Sequence, residues 1–392
     1  MPIDVQRARA QTPGVAHRIH LNNCGASPMP APVIEAVSAH LKLEAEIGGY
    51  EAAEVAVEQV EHAYDAVARL LNCSREEIAL VENATNGWCM AFYAFDFQPG
   101  DRILTAVSEY ATNYIAYLQR AQKTGAVVEV VPNDEHGQLD VNALEAMLDE
   151  RVKLISLAHI PTNGGLVQPV KQIGQIARKH GVPFMLDACQ SAGQLPLDVD
   201  ALKVDLLSAT GRKFLRGPRG TGFLYVRKRW IERLEPPMLD LWSAQWVAPQ
   251  RYQIRNDARR FESWERFVAG QIGLGVAADY ALEWGLENIY ARIQSLAALL
   301  RQRLCEVPGV SVHDLGQQRC GIVTFSAAKM ASEAIATRLR QRHINVRRSL
   351  ASSTLLDAQR RGLGTLVRAG VHYFNTEDEI ERLIAELTQI LA

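Results

Sequence analysis

Between residues 77 and 226 the chain lays down seven short apolar runs, EIALV, RILTAV, VVEVVP, VKLISLAHI, VPFMLDA, VDLLSAT and TGFLYV, and helical segments separate most of them. Short apolar runs of this kind read as strands buried on both faces, and strands alternating with helices cross over and pair in parallel. The expectation is an α/β fold, a mostly parallel sheet flanked by helices. Upstream, PAPVIEAVSAHLKLEAEI reads as a helix with proline near its start, and VEQVEHAYDAVARLLN as a second with apolar residues at helical spacing. Beyond about residue 285 the rhythm changes: IYARIQSLAALLRQRLCEV is helical, while GIVTFS, INVRR and LVRAGVHYF are strand-like. The helix NTEDEIERLIAELTQIL follows, with Thr376 and Glu379 spaced as a capping box. The pattern predicts an N-terminal segment (1–30), a large domain (31–270) and a small C-terminal α+β domain (271–392).

In a parallel sheet, ligands collect at the carboxyl ends of the strands. Polar residues stand at several of those ends. Asn163 follows LISLAHI, Asp187 ends VPFML with Gln190 just beyond, and Lys213 follows DLLSATGR. A carboxylate and an amine at neighbouring strand ends suit one chemistry. The amine forms a Schiff base with an aldehyde, and the carboxylate keeps a heteroaromatic nitrogen protonated, which is what pyridoxal 5'-phosphate requires. Such a charge pair at about 4 Å, in an effective dielectric of about 20, is worth roughly 4 kcal/mol. A nucleotide phosphate loop is the competing reading of GRKFLRGPRGTG, but no Gly-Lys-[Ser/Thr] opens a helix there. VENATNGWCMAFYAF runs from a strand into a helix, and the backbone N–H groups at Thr85 and Asn86 favour an anion such as the cofactor phosphate.

The stretch MLDACQSAGQLPLDVDALKVDLLSATGRKFLRGPRGTGFLYV resembles the core of class V aminotransferases and cysteine desulfurases, which are fold type I pyridoxal-phosphate enzymes. It has their Asp-x-x-Gln, the lysine further on and the Gly-Pro-x-Gly-x-Gly-x-Leu-Tyr tail, and the likeness extends from LNNCGASP to VRAGVHYFNTEDEI. The resemblance implies that Lys213 is the Schiff-base lysine and that Asp187 pairs with the pyridine nitrogen. Gln190 then bonds the ring hydroxyl, with Asn163 or Thr162 nearby. Thr85, Asn86, Thr210 and Arg212 become the phosphate ligands, Arg212 standing where most relatives have histidine. Tyr110, in SEYATN, takes the place of a ring-stacking histidine, which leaves acid–base work to Lys213. Arg368 is implied to grip a substrate carboxylate bidentately, so the substrate is an α-amino acid, with Gly25 and Ala26 of LNNCGAS across the same pocket.

Two departures narrow the reaction. Relatives that make persulfides carry a cysteine on the loop after a strand like INVRR; here SLASSTLLDAQRRG has none, and Ser352 falls about there. Persulfide-forming desulfuration is therefore disfavoured. LEAEIGGYEAAEV, which contains Tyr50, is a helix ending at a glycine cap on its plain reading. It also resembles a stretch of the hercynylcysteine sulfoxide lyases of the ergothioneine pathway, which places Tyr50 among substrate-binding residues. Those enzymes share the Arg-Lys turn and Glu-Tyr-x-x-Asn. The expectation is a β-eliminating C–S lyase acting on a cysteine S-conjugate or its sulfoxide and giving pyruvate and ammonia. A class V aminotransferase and then an amino-acid epimerase are the alternatives. A pyridoxal-phosphate-binding regulator would need a basic helix-turn-helix, which the chain lacks.

The resemblance further implies a homodimer, although Glu265 in RRFESWERFVAGQIG stands where relatives have a threonine that reaches the partner's phosphate. A formal net charge of -2 suggests neither nucleic acid nor membrane as a partner. Six scattered cysteines without CxxC pairs, and no signal-peptide core in MPIDVQRARAQTPGVAHRIHL, lead to the expectation of free thiols in the cytoplasm and no zinc site.

Overall fold

The computed structural model describes residues 2–392. The seven apolar runs become strands β1 (Ile78–Val81), β2 (Arg102–Ala106), β3 (Val127–Val131), β4 (Val152–Ala158), β5 (Phe184–Asp187), β6 (Leu206–Thr210) and β7 (Gly222–Val226). They form one sheet in the order β1-β7-β6-β5-β4-β2-β3. Only β7 runs against the others, pairing antiparallel with β6 and β1. Every residue of β1, β5, β6 and β7 is buried, which is why these runs are apolar throughout instead of alternating.

Helices cover the sheet. α1 (Ala31–Ile47) has proline in its first turn and stops at Gly48, whose φ of +99° a side chain would resist. After the short α2 (Gly49–Val55), α3 (Val57–Leu71) buries the stripe Val60, Ala63, Tyr64, Val67 and Leu71. α4 (Ala84–Phe92) is capped by Asn83, whose side chain accepts from the Asn86 amide at 3.0 Å. α5 (Ala111–Thr124) and α6 (Val170–His180) follow. α7 (Val268–Trp284) packs on α1 and α3, so closely that a Cβ on Gly275 would lie 2.8 Å from the Ala63 Cα.

After Gly285 comes α8 (Leu286–Cys305). Two further helices are α9 (Ser332–Gln341) and α10 (Glu377–Leu391), the latter capped by the Thr376–Glu379 box. They cover a four-stranded antiparallel sheet of β8 (Val310–Val312), β9 (Ile322–Ala327), β10 (Arg347–Ser349) and β11 (Leu366–Gly370), in the order β8-β9-β11-β10. The N-terminal segment is stitched to this domain: Ile19–His20 pairs in parallel with Ile344–Asn345, and Asn22 bridges to Gly370. All six cysteines are free thiols. Among the described residues no helix is long and apolar enough to cross a membrane.

Candidate active site

β5 ends on Asp187 and β6 on Thr210, so the turn carrying Lys213 stands beside Asp187 at the carboxyl edge of the sheet. The turn is closed by Gly217 N donating to Gly211 O at 2.7 Å and Gly211 N to Thr221 O at 3.0 Å. A Cβ on Gly222 would lie 2.7 Å from Ala209 O and 3.0 Å from Ala84 N. Glycine there lets β7 pass against the first turn of α4.

Asp187 is buried. Its Oδ2 accepts from Asn113 Nδ2 at 3.0 Å and its Oδ1 from the Cys189 amide at 2.9 Å. Asn113 Nδ2 also donates to Glu109 Oε1 at 3.0 Å. Burial, reinforced by the Asp187 charge, pushes the Glu109 carboxyl up to about 7. Burial lowers the Lys213 amine below the ordinary lysine value; Cys189 and Asp187 oppose this, and Arg212 and Arg368 add to it.

Lys213 opens into a cavity of about 540 Å³, lined also by Tyr110, Gly25, Ala26, Arg212 and Arg368. Arg368, on β11, donates through Nη1 to Thr162 Oγ1 at 2.5 Å and Thr162 O at 3.1 Å, while its Nε is buried without a partner. Gln190 Nε2 donates to Cys24 O at 3.1 Å and lies 3.4 Å from Thr162 Oγ1. Arg212 Nη1 donates to Gly25 O, tying the N-terminal segment to the lysine turn. Asn163 reaches the small domain, donating to Leu350 O at 2.7 Å and accepting from Ser349 Oγ.

Thus Lys213, Arg212, Tyr110, Arg368, Gly25 and Ala26 share one cavity, with Asp187, Gln190 and Asn163 built around it. Four expected residues lie elsewhere. Thr85 and Asn86 are exposed on the first turn of α4 and do not line the cavity, because Asn86 turns back to Glu82 Oε2 at 2.9 Å. The Thr210 hydroxyl lies 3.3 Å from Thr221 O, toward the turn and not the cavity. Tyr50 is 75% exposed, beside Trp242 and Trp264 in a second cavity of about 820 Å³. Arg219 and Arg347 were not singled out from the sequence, and Asn113 entered only as the last residue of Glu-Tyr-x-x-Asn, with no role given to it. Asn113 alone had a local signal, since it falls four residues after Glu109 at the start of a helix.

The protein family described as Aminotransferase class-V matches residues 19–383. The chain belongs to this family. It is 29% identical over 393 residues to a probable cysteine desulfurase of Methanothermobacter thermautotrophicus, with 97% of each chain covered. The apo structure of a cysteine desulfurase from Thermococcus onnurineus NA1 superposes with a TM-score of 0.91 at 26% identity, over 100% of this chain and 98% of that one. The cystine C–S lyase C-DES, solved with its reaction product cysteine persulfide, superposes with a TM-score of 0.87 at 25% identity, over 96% and 99%. The protein is a pyridoxal-phosphate-dependent enzyme of the class V aminotransferase family.

The site fits that cofactor. Among the described residues, no Lys, Arg or His forms an ion pair with the buried Asp187 carboxylate, so it has room for a ligand cation. Gln190 Oε1 is buried without a hydrogen-bond partner, an acceptor waiting for a donor from a ligand.

Proposed function

We propose that this enzyme is a β-eliminating C–S lyase, which takes a cysteine S-conjugate, or its sulfoxide, to pyruvate and ammonia. The observation that carries the reading is the segment after β10. Ser349 and Leu350 are held by Asn163, and the following turn Ala351–Thr354 contains no cysteine. Two other thiols lie near the cavity. Cys24 is 1% exposed and packed against Gly370, and burial and Asp187 push the Cys189 thiol far above the range in which a thiolate forms. A sulfur-accepting nucleophile is missing, so the sulfur fragment leaves as such. The cystine C–S lyase among the structural neighbours supports C–S cleavage on this fold.

Pyridoxal phosphate, when bound, supplies the electron sink for negative charge at the substrate Cα. Lys213 would hold its aldehyde, Asp187 and Gln190 its ring, and the turn beside Arg212 its phosphate. Arg368, aimed by Thr162, grips the α-carboxylate. Lys213, whose lowered pKa favours the neutral amine, takes the Cα proton. The Cβ–S bond then breaks and its electron pair departs with sulfur. In sum, R–S–CH₂–CH(NH₃⁺)–COO⁻ and water give R–SH, pyruvate and NH₄⁺; a sulfoxide gives R–SOH. A homodimer belongs to the same reading, because Tyr50, Trp264 and Phe267 leave large rings in solvent around the second cavity, beside Glu265.

The test is a product assay on cofactor-loaded enzyme, with cysteine S-conjugates, their sulfoxides and ordinary amino acids, and no keto acid. Continuous pyruvate and ammonia from the sulfur substrates are expected, and Lys213→Ala should lose at least about a hundredfold in kcat. One turnover per site, restarted only by a keto acid, would mean an aminotransferase. Formation of the D-amino acid alone would mean an epimerase. Alanine and sulfane sulfur from cysteine would return the chain to the activity its relatives are named for.

A further inference from the structure

We propose that the substrate carries a second acidic group, on its sulfur substituent, and that Arg347, helped by Arg219, binds it. The lyase reading supplies the sulfur; the charge requirement does not depend on it. Six cationic side chains line the Lys213 cavity (Arg212, Lys213, Arg219, Arg347, Arg348 and Arg368), and no Asp or Glu lines it. Most have a use. Lys213 and Arg212 stand at the cofactor turn, Arg368 is aimed by Thr162, and Arg348 is paired with Glu333. Arg219 and Arg347 are left. Both are exposed, and among the described residues neither has an ion pair or a side-chain hydrogen bond.

Position makes Arg347 the more informative of the two. β10 and β11 are antiparallel, and Arg347 stands in register with Arg368. Directly opposed residues project from the same face with Cβ atoms about 4.5–5.5 Å apart, and like charges so placed repel. No carboxylate lining the cavity offsets this pair, whereas one strand position further along Arg348 has Glu333. A ligand with two anionic groups offsets it. The planar guanidinium fork selects a carboxylate, sulfonate or sulfinate by bidentate hydrogen bonding. Because Arg347 is exposed, water screens the contact, and the gain is about tenfold in kcat/KM, not several thousandfold.

The experiment compares isosteric pairs on the holoenzyme. S-carboxymethyl-L-cysteine and S-carbamoylmethyl-L-cysteine differ only in the distal charge and serve as substrates. L-2-aminoadipate and its 6-amide repeat the comparison without sulfur and report binding through the cofactor absorption spectrum. At low salt, wild type should favour the acidic member at least about tenfold in both kcat/KM and Kd, and 0.5 M salt should shrink the ratio. Arg347→Ala should bring the ratio close to one, Arg219→Ala should lower it in part, and Arg348→Ala should keep it. Equal treatment of both members by wild type, or a ratio that survives Arg347→Ala, overturns the proposal. Should no cysteine conjugate yield pyruvate while the aminoadipate ratio holds and falls in Arg347→Ala, the lyase reading fails and the acidic subsite stands.

Discussion

Asp187 does not face its ligand alone. The Asn113 amide donates to it and to Glu109, each at 3.0 Å, so two buried carboxyl groups share one donor. Glu109 also accepts from the Tyr110 amide at 2.7 Å and from Thr105 Oγ1 at 2.9 Å. These bonds favour its ionised form, yet burial and the Asp187 charge outweigh them and hold its pKa at about 7. The sign of the pH effect follows. The native carboxyl keeps its proton above the unfolded pKa, so the native state binds more protons than the unfolded chain between about 4.5 and about 7. Stability from this group is full below that window and is lost as pH rises through it. Glu109→Gln removes the ionisation but keeps an acceptor. Relative to wild type, cofactor-stripped Glu109→Gln should gain about 1–3 kcal/mol between pH 5 and pH 8. Urea midpoints at the two pH values read this directly; an unchanged difference would show that Glu109 titrates normally.

At the scale of elements, β1 is the edge strand of the large sheet, and an edge leaves backbone amides without ladder partners. Glu262 meets this need just after a short turn, Ala258–Phe261. Its carboxylate accepts from the Leu80 amide at 2.7 Å, from Tyr64 Oη on α3 at 2.9 Å and from Trp242 Nε1 at 2.7 Å. One side chain thus ties the edge strand, a helix and the Trp242 loop together. Glu262→Ala strands three donors and should cost about 2–4 kcal/mol in denaturant unfolding, whereas Glu262→Gln keeps one acceptor oxygen and should cost less than half as much. Equal losses would mean that charge, not acceptor geometry, holds the edge. Strands, caps and the lysine turn were legible in the sequence because each is written in adjacent residues: apolar runs, Gly48, Thr376 with Glu379, and Asp187 before Gln190. Glu262 was not, because two of its three partners lie 182 and 198 residues upstream in the chain and nothing local marks it. Arg347 was hidden similarly, since its meaning comes from the register with Arg368.

The whole molecule is held at Arg216, which lies three residues beyond Lys213. Its side chain is among the largest fully buried ones, at 1% exposure, and its backbone adopts a φ of +62°. Nη2 donates to Thr12 Oγ1 at 2.6 Å, Nε to Pro28 O at 3.0 Å and Nη1 to Tyr373 Oη at 2.7 Å, with the guanidinium 4.5 Å from the Phe374 ring centroid. The N-terminal segment, the lysine turn and the small domain therefore meet on one cation. No local sequence pattern marks this meeting point: α7 is apolar on nearly every side and offers no break, while the contacts of Arg216 come from residues scattered from 12 to 374. Among the described residues Arg216 has no carboxylate partner, so its stabilisation comes from hydrogen bonds to neutral groups and from the rings around it. Arg216→Leu keeps most of the volume and strands the Thr12, Pro28 and Tyr373 oxygens. A loss of about 2–4 kcal/mol is expected. The location of the loss is the sharper test. Freed from Thr12 and Pro28, the N-terminal segment should become the first site of limited proteolysis. KM should rise because Gly25 and Ala26 line the cavity, while the β1–β7 sheet keeps its hydrogen-exchange protection. Uniform loss of protection across the sheet and the N-terminal segment would show that Arg216 supports the core as a whole and not the joint.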